Sequence, residues 1–194
     1  MIIDETKITT YNSICAVLLR EIRVQRGFHR AQFADFFGKP ASAWEAIEAG
    51  KSRLDLDVLL RVCRGLMQPP GLVLTVADAY ERFLRYFGWS VVLTDTGADG
   101  LMKFANEYWK SPGGRFADNA PMYSSSILVE PYQQNNVWYS FAPVFRYVDD
   151  PQFRTEQNDE ERFKPLPSIL DQAAQNGVNG GGGVNGVSGD PQGI

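Results

Sequence analysis

The chain has a single histidine, His29, and two cysteines, Cys15 and Cys63, which sit far apart and outside any CxxC spacing. That scarcity excludes structural zinc of the usual Cys/His kind, and no metal is expected. Both cysteines fall in apolar helical patterns and read as small buried side chains. Long apolar runs are missing too: 58–60 and 72–74 stop far short of the roughly 18 to 20 residues that a membrane helix requires, so no membrane partner is expected. The opening ten residues carry Asp4 and Glu5 and lack the basic and apolar regions of a secretory signal, which points to the cytoplasm. Catalytic signatures are absent as well. There is no P-loop, no HExxH and no GxGxxG after a strand, and the glycines at 180–183 lack the Lys-Ser/Thr and the helix that a phosphate loop needs. The acidic pairs Asp149-Asp150 and Glu160-Glu161 lie in polar stretches and read as solvated charge. Neither an enzyme nor a cofactor is expected.

What is present is an ordinary globular composition over 194 residues, 44% hydrophobic, 12% aromatic and 22% charged. That is enough for one average domain or two small ones. A net charge of -4 argues against a protein that coats nucleic acid, but the charge is unevenly spread. Residues 1–88 hold 12 Lys and Arg against 10 Asp and Glu, a balance of +2, whereas residues 89–194 hold 7 against 13, or -6. The basic half reads as five short helices over about 13–26, 30–37, 41–49, 56–67 and 72–87, each stop marked by Gly or Pro. Cys15, Leu19 and Ile22 share one apolar face of the first, and Gly27 is a left-handed stop. Asp55 is placed to cap the fourth. Pro69-Pro70 ends it. Helix, Gly27, helix, a tight Gly38-Lys39-Pro40 turn, helix, Gly50, helix is the grammar of a helix-turn-helix bundle.

The residues of that bundle, over about 14–75, carry a resemblance. Leu19-Arg20-Glu21-Ile22-Arg23, Gly27-Phe28, Gln32-Phe33-Ala34-Asp35-Phe36-Phe37-Gly38, Ile47-Glu48-Ala49-Gly50-Lys51 and the apolar run 56–66 resemble the Cro/phage-repressor (Xre-type) helix-turn-helix family. The match holds in order and spacing without a gap. The resemblance implies an ion pair between Arg23 and Glu48 that ties the first helix to the end of the third, the bland alternative being two solvated charges. It also implies that helix 41–49 enters the DNA major groove. Ala41, Ser42 and Ala46 fall at the base-reading positions, with Glu45 on the same helix. Bidentate readout of guanine needs Arg or Lys and that of adenine needs Asn or Gln, and none of these is there. Trp44 falls where the family has an aliphatic core residue and is expected to pack on the second helix. Arg30, where the family commonly has a backbone-touching Gln, joins Lys39, Lys51 and Arg53 as a cationic rim that could hold phosphates; an ordinary solvated surface is the alternative. His29 stands where the family often has a capping Ser or Thr, and reads either as a weak cap, a pH-responsive group or a plain exposed side chain.

After Trp89 the period changes. Residues 90–94 read as a strand, 101–110 as a helix, and 124–132 and 137–148 as two long strands joined by a turn at 133–136. Pro131 and Pro143 demote parts of both strands to edges or bulges. A short helix is expected at 167–175, followed by a tail with 8 of the 18 glycines. The tail buries too little apolar surface to offset ordering. Ten aromatic side chains between Tyr108 and Tyr147, Tyr123 among them, either fill a core or line a partner surface.

The expectation is therefore an α+β protein: an all-α five-helix helix-turn-helix domain (1–88), a small α+β dimerisation or partner-binding domain with an antiparallel hairpin (89–175), and a disordered Gly/Asn-rich tail (176–194). Its expected role is that of a transcription regulator of the repressor type, a homodimer on double-stranded DNA. The alternative is a protein-interaction module on a helix-turn-helix scaffold that has lost base reading, docking a protein partner through the aromatic-rich second half.

Overall fold

Gly27, Gly38, Gly50 and Gly88 take positive φ, and the backbone turns at each of them. The computed structural model describes residues 4–36, 38–94, 97, 99–119 and 126–164. The expected helix at 167–175, the Gly/Asn-rich tail and Tyr123 lie outside these residues. Strand β1 (Ile8–Thr10) leads into α1 (Tyr11–Gln25), whose first turn is capped by the Thr10 hydroxyl accepting from the Ser13 amide at 3.0 Å. Helix α1 ends at Gly27, φ +71°, where the Gly27 and Phe28 amides close back on Val24 and Arg23 carbonyls. Then come α2 (Arg30–Phe36), α3 (Ala41–Glu48), α4 (Leu56–Gly65) and α5 (Pro70–Tyr86). Asp55 Oδ1 accepts from the Val58 amide at 2.7 Å and starts α4. Pro70 does not keep helix from forming but begins it, two residues before the expected start, because a first-turn residue needs no amide donor.

The second half departs from the sequence reading in three places. First, the strand expected at 90–94 is present as β2 (Ser90–Val92), but it pairs in parallel with β1, a strand the sequence reading did not include, in the register Ile8↔Ser90, Thr9↔Val91 and Thr10↔Val92. Second, after α6 (Gly100–Lys110) a helix not anticipated, α7 (Pro112–Asn119), follows Ser111, whose hydroxyl accepts from the Gly114 amide at 3.0 Å. Third, the two long strands shrink to a short antiparallel hairpin, β3 (Tyr132–Gln134) with β4 (Val137–Tyr139). Residues 126–128 form a 3-10 turn instead of a strand. Asn135 and Asn136 both take positive φ, +51° and +62°, and make the two-residue hairpin turn. From Pro143 the chain is helical again: α8 (Pro143–Asp149) and α9 (Pro151–Gln157). Val144, Phe145, Tyr147 and Val148 are all buried, at helical spacing, so the β-branched and aromatic residues that read as strand serve a helix packed on the core.

Among the described residues the fold is thus α+β, with a helical helix-turn-helix region followed by helices and a small antiparallel hairpin. Residues Met1–Phe163 form one compact unit, and the second, Lys164–Ile194, contributes only Lys164 to the described residues. The core of the first unit runs without a break across residue 88. Helix α1 is its axis, with Ile14, Val17, Leu18 and Ile22 fully buried, each side chain contributing about 1.5 to 3 kcal/mol by leaving water. Tyr80 of α5 stacks on Phe145 of α8 at 3.7 Å and 15°, and its hydroxyl accepts from the Ala142 amide at 2.8 Å. Cys15 and Cys63 are free and buried, and burial pushes both thiols up, Cys15 to about 12 and Cys63 to about 11. Among the described residues no helix is long and apolar enough to cross a membrane.

Candidate nucleic-acid interface

The orientation of α3 is set from within. Trp44 is fully buried and packs on Phe33 of α2, ring centroids 4.7 Å apart. Its indole Nε1 donates to Glu48 Oε1 at 2.9 Å. Glu48, only 3% exposed, also accepts from Arg23 Nε at 2.5 Å, from the Arg23 guanidinium again at 3.0 Å, and from Arg30 Nε at 3.1 Å. Arg23 spends a further donor on the Phe28 carbonyl at 2.8 Å. One carboxylate thereby collects four donors from three elements, so the cost of burying it is met by charge-assisted hydrogen bonds. Arg23 and Glu48 stand in direct contact, which ties α3 to α1, and the Arg30–Glu48 pair ties it to α2.

The outer face of α3 is sparse. Ala41, Ser42 and Glu45 are exposed, while Ala43, Ala46 and Ala49 are half-buried. Ser42 is the one side chain on that face able to donate a hydrogen bond to a base, and Glu45 can accept from cytosine N4. The four rim cations do not form one set. Arg30 is folded back onto acidic partners, pairing with Glu45 at 3.2 Å as well as with Glu48. Lys39, Lys51 and Arg53 carry no ion pair among the described residues. Lys51 and Arg53 are exposed and line a polar cleft of about 300 Å³ beside the start of α1. Lys39 is half-buried and lines a smaller cleft of about 220 Å³ with Asp55, Asp57 and Arg61. His29 is exposed, and its Nδ1 lies 3.4 Å from the Ala31 amide, a long contact at the start of α2. Among the described residues no group of three or more His, Cys, Asp or Glu side chains is arranged to hold a metal ion.

Sequence reasoning missed one wall of this region. Helix α6, more than fifty residues downstream, seats against the turn after α3: a Cβ at Gly50, φ +71°, would lie 2.6 Å from Met102 Cγ. Between α3 and α6 opens a groove of about 550 Å³ lined by Arg30, Glu45, Ala49, Lys51, Trp109 and Lys110, among others. Trp109 is anchored beneath it, with Arg20 4.0 Å over its ring and its Nε1 donating to Glu21 at 2.8 Å. Arg20 in turn pairs with Glu21 at 2.8 Å and Asp118 at 3.1 Å, tying α1 to α6 and α7. Burial raises the Glu21 carboxyl above its ordinary value, against the pull of Arg20 and Trp109. Only the amphipathic pattern of 101–110 was visible in the sequence. Nothing in it announces which surface that helix meets.

Residues 16–76 match the family model of a helix-turn-helix domain, a span that runs from α1 into α5. No curated protein and no solved structure matches the chain.

Proposed function

We propose that the chain is a DNA-binding transcriptional regulator of the Xre type, a cytoplasmic repressor acting as a homodimer on an inverted repeat. Residues 1–88 read the DNA and residues 89–175 serve dimerisation or sensing. The observation that carries this reading is the setting of α3: a helix locked from inside by Glu48, exposed along Ala41, Ser42 and Glu45, and flanked by Lys39, Lys51 and Arg53, which carry no ion pair among the described residues. In the helix-turn-helix domain at 16–76, α3 is the element that enters the major groove. With alanine at two of the three base-reading positions, affinity comes from phosphates and discrimination leans on DNA shape. A two-fold axis sets the two copies of α3 about 34 Å apart, one helical turn. The dimer contact falls on the outward face of the hairpin, where Tyr132 and Tyr139 stack at 5.4 Å and are about half exposed.

Fluorescence-anisotropy titration of the full chain with pooled duplex fragments at two salt concentrations tests the reading. Binding at low salt is expected, weakened by added salt and by Lys39→Ala or Arg53→Ala. No binding by the parent chain at low salt removes the proposal.

One observation favours a second reading. Arg30 is spent on Glu45 and Glu48, and the remaining α3 face is small and neutral apart from Glu45. Such a face can approach another backbone closely, so a protein-interaction module with the hairpin aromatics as a second contact is what a chain without DNA affinity would be.

A further inference from the structure

Helix α6 stands outside residues 16–76, yet it walls the groove onto which α3 opens. Positions 41 and 45 of α3 and its C-cap residue, Ala49, form an i, i+4 row. Glu45 and Ala49, the last two of that row, line the groove, so a duplex seated along the row carries its backbone past the groove mouth. Four cations line it: Arg20, Arg30, Lys51 and Lys110. Arg20 is held by Glu21 and Asp118, and Arg30 by Glu45 and Glu48. These pairs account for both acidic groups in the lining. Lys51 and Lys110 have no ion pair among the described residues, and both are exposed. Asn106 donates one of its two amide hydrogens to the Met102 carbonyl at 2.7 Å, and the two ammonium groups are the charged donors of the lining without an ion pair among the described residues. Two unpaired cations in one lining favour an anion there, and a compact ammonium on a flexible stem can reach a single phosphate. The Gly50 turn, against which Met102 rests, fixes α6 beside the segment that carries Lys51.

We propose that this groove holds a backbone phosphate of the bound duplex between Lys51 and Lys110, so that α6 belongs to the nucleic-acid interface. The inference rests on the DNA-binding reading above. It extends the interface beyond the helix-turn-helix segment to a helix of the second half, and it gives that half a role in affinity as well as in assembly.

The test is the salt dependence of duplex binding by the full chain, for the parent, Lys110→Ala, Lys110→Arg and Arg82→Ala, the last an exposed cation of α5 that does not line the groove. Each phosphate contact contributes about 0.9 to the slope of log K against log salt, so Lys110→Ala is expected to flatten the slope by about 1. Between 50 and 200 mM salt, roughly a 3-fold share of the parent's loss in affinity disappears with that contact. Lys110→Arg keeps the parent slope, and so does Arg82→Ala. A parent slope in Lys110→Ala overturns the inference and leaves the DNA-binding reading standing, whereas no binding by the parent chain overturns both. Thermal melting in inorganic phosphate against chloride at equal ionic strength separates the two sources of phosphate. A Lys110-dependent rise in Tm with an unchanged duplex slope assigns the groove to a free phosphorylated ligand, and that result also overturns the proposal.

Discussion

Helix α3 and the β3–β4 hairpin are both short elements that must be held in place, and they are held by opposite means. Helix α3 is fixed by direction: four donors converge on the buried Glu48 carboxylate from α1, α2 and α3 itself. The hairpin is fixed by mass. Trp138 packs on Phe83 and Tyr86 of α5, ring centroids 5.3 and 5.8 Å away, while Tyr132, Val137 and Tyr139 stay in solvent. Charge-assisted hydrogen bonds have narrow geometry, so they set an orientation. Aromatic packing tolerates sliding and leaves a face free for other use. The difference suits the proposed roles: the element proposed to meet a rigid duplex is locked by directional bonds, and the one proposed to meet a second copy is not.

Removing the lock is the severest way to break the comparison. Glu48→Ala leaves Arg23 buried without its counter-charge and is expected to cost about 3 to 5 kcal/mol in denaturant unfolding. Phe145→Ala, the aromatic counterpart beneath Tyr80, is expected to cost a similar 3 to 5 kcal/mol through the cavity it leaves. The two then differ in kind: loosening α3 abolishes duplex binding even under conditions where the chain stays folded, and loosening α8 reduces it only through stability.

A middle-sized effect sharpens the directional side. Trp44→Phe keeps an aromatic ring against Phe33 but loses the pyrrole half of the indole with its donor to Glu48, for an expected loss of at least about 1.5 to 3 kcal/mol, the range for hydrogen bonds to charged groups, with a cavity cost added. Cost near zero in the same unfolding assay would show that Arg23 and Arg30 suffice.

At a helix start the polar contribution becomes pH-dependent. The Asp150 carboxyl, held below its ordinary 3.8 by the Phe153 amide and by Arg146, caps α9. Its stabilisation is fully present above about pH 3.8 and is lost as pH falls through the lower folded value. Asp150→Ala is expected to cost about 1 kcal/mol at neutral pH and to flatten the acid limb of the stability profile, whereas Asp150→Asn keeps much of the cap and loses the pH dependence. Smallest is the outward hairpin stack: Tyr139→Ser is expected to cost about 0.5 to 1.5 kcal/mol of local order while shifting light-scattering mass from dimer toward monomer. An unchanged mass places the dimer contact elsewhere.

The sequence was most legible where local chemistry decides. Gly27 and Gly50 take the positive φ their stops require, Asp55 caps α4, and Trp44 fills the core against α2. It was least legible where tertiary packing overrides propensity. Val144, Phe145, Tyr147 and Val148 read as strand, but a core already present against α5 makes an amphipathic helix of them, started by Pro143. Asp150-Pro151 and Ser111-Pro112 are helix starts that the sequence reading left out, while Pro143, weighed there as a breaker of a strand, begins α8. At the candidate interface the identities of Lys39, Lys51 and Arg53 were readable, and the pairing of Arg30 with Glu45 was not. Nor was the approach of Lys110, since both depend on contacts between elements that no local pattern encodes.

The central claim is that the exposed row of α3 is what meets DNA. Ala41 is exposed on that row and makes no core contact, so Ala41→Glu changes the face without touching the lock. Anisotropy titration of this variant against the pooled duplexes, beside its melting curve, is the direct measurement. A parent-like melt and at least a tenfold loss of affinity, about 1.4 kcal/mol, are expected, as a carboxylate is pressed against the duplex. Parent-like affinity from a folded Ala41→Glu chain would contradict it.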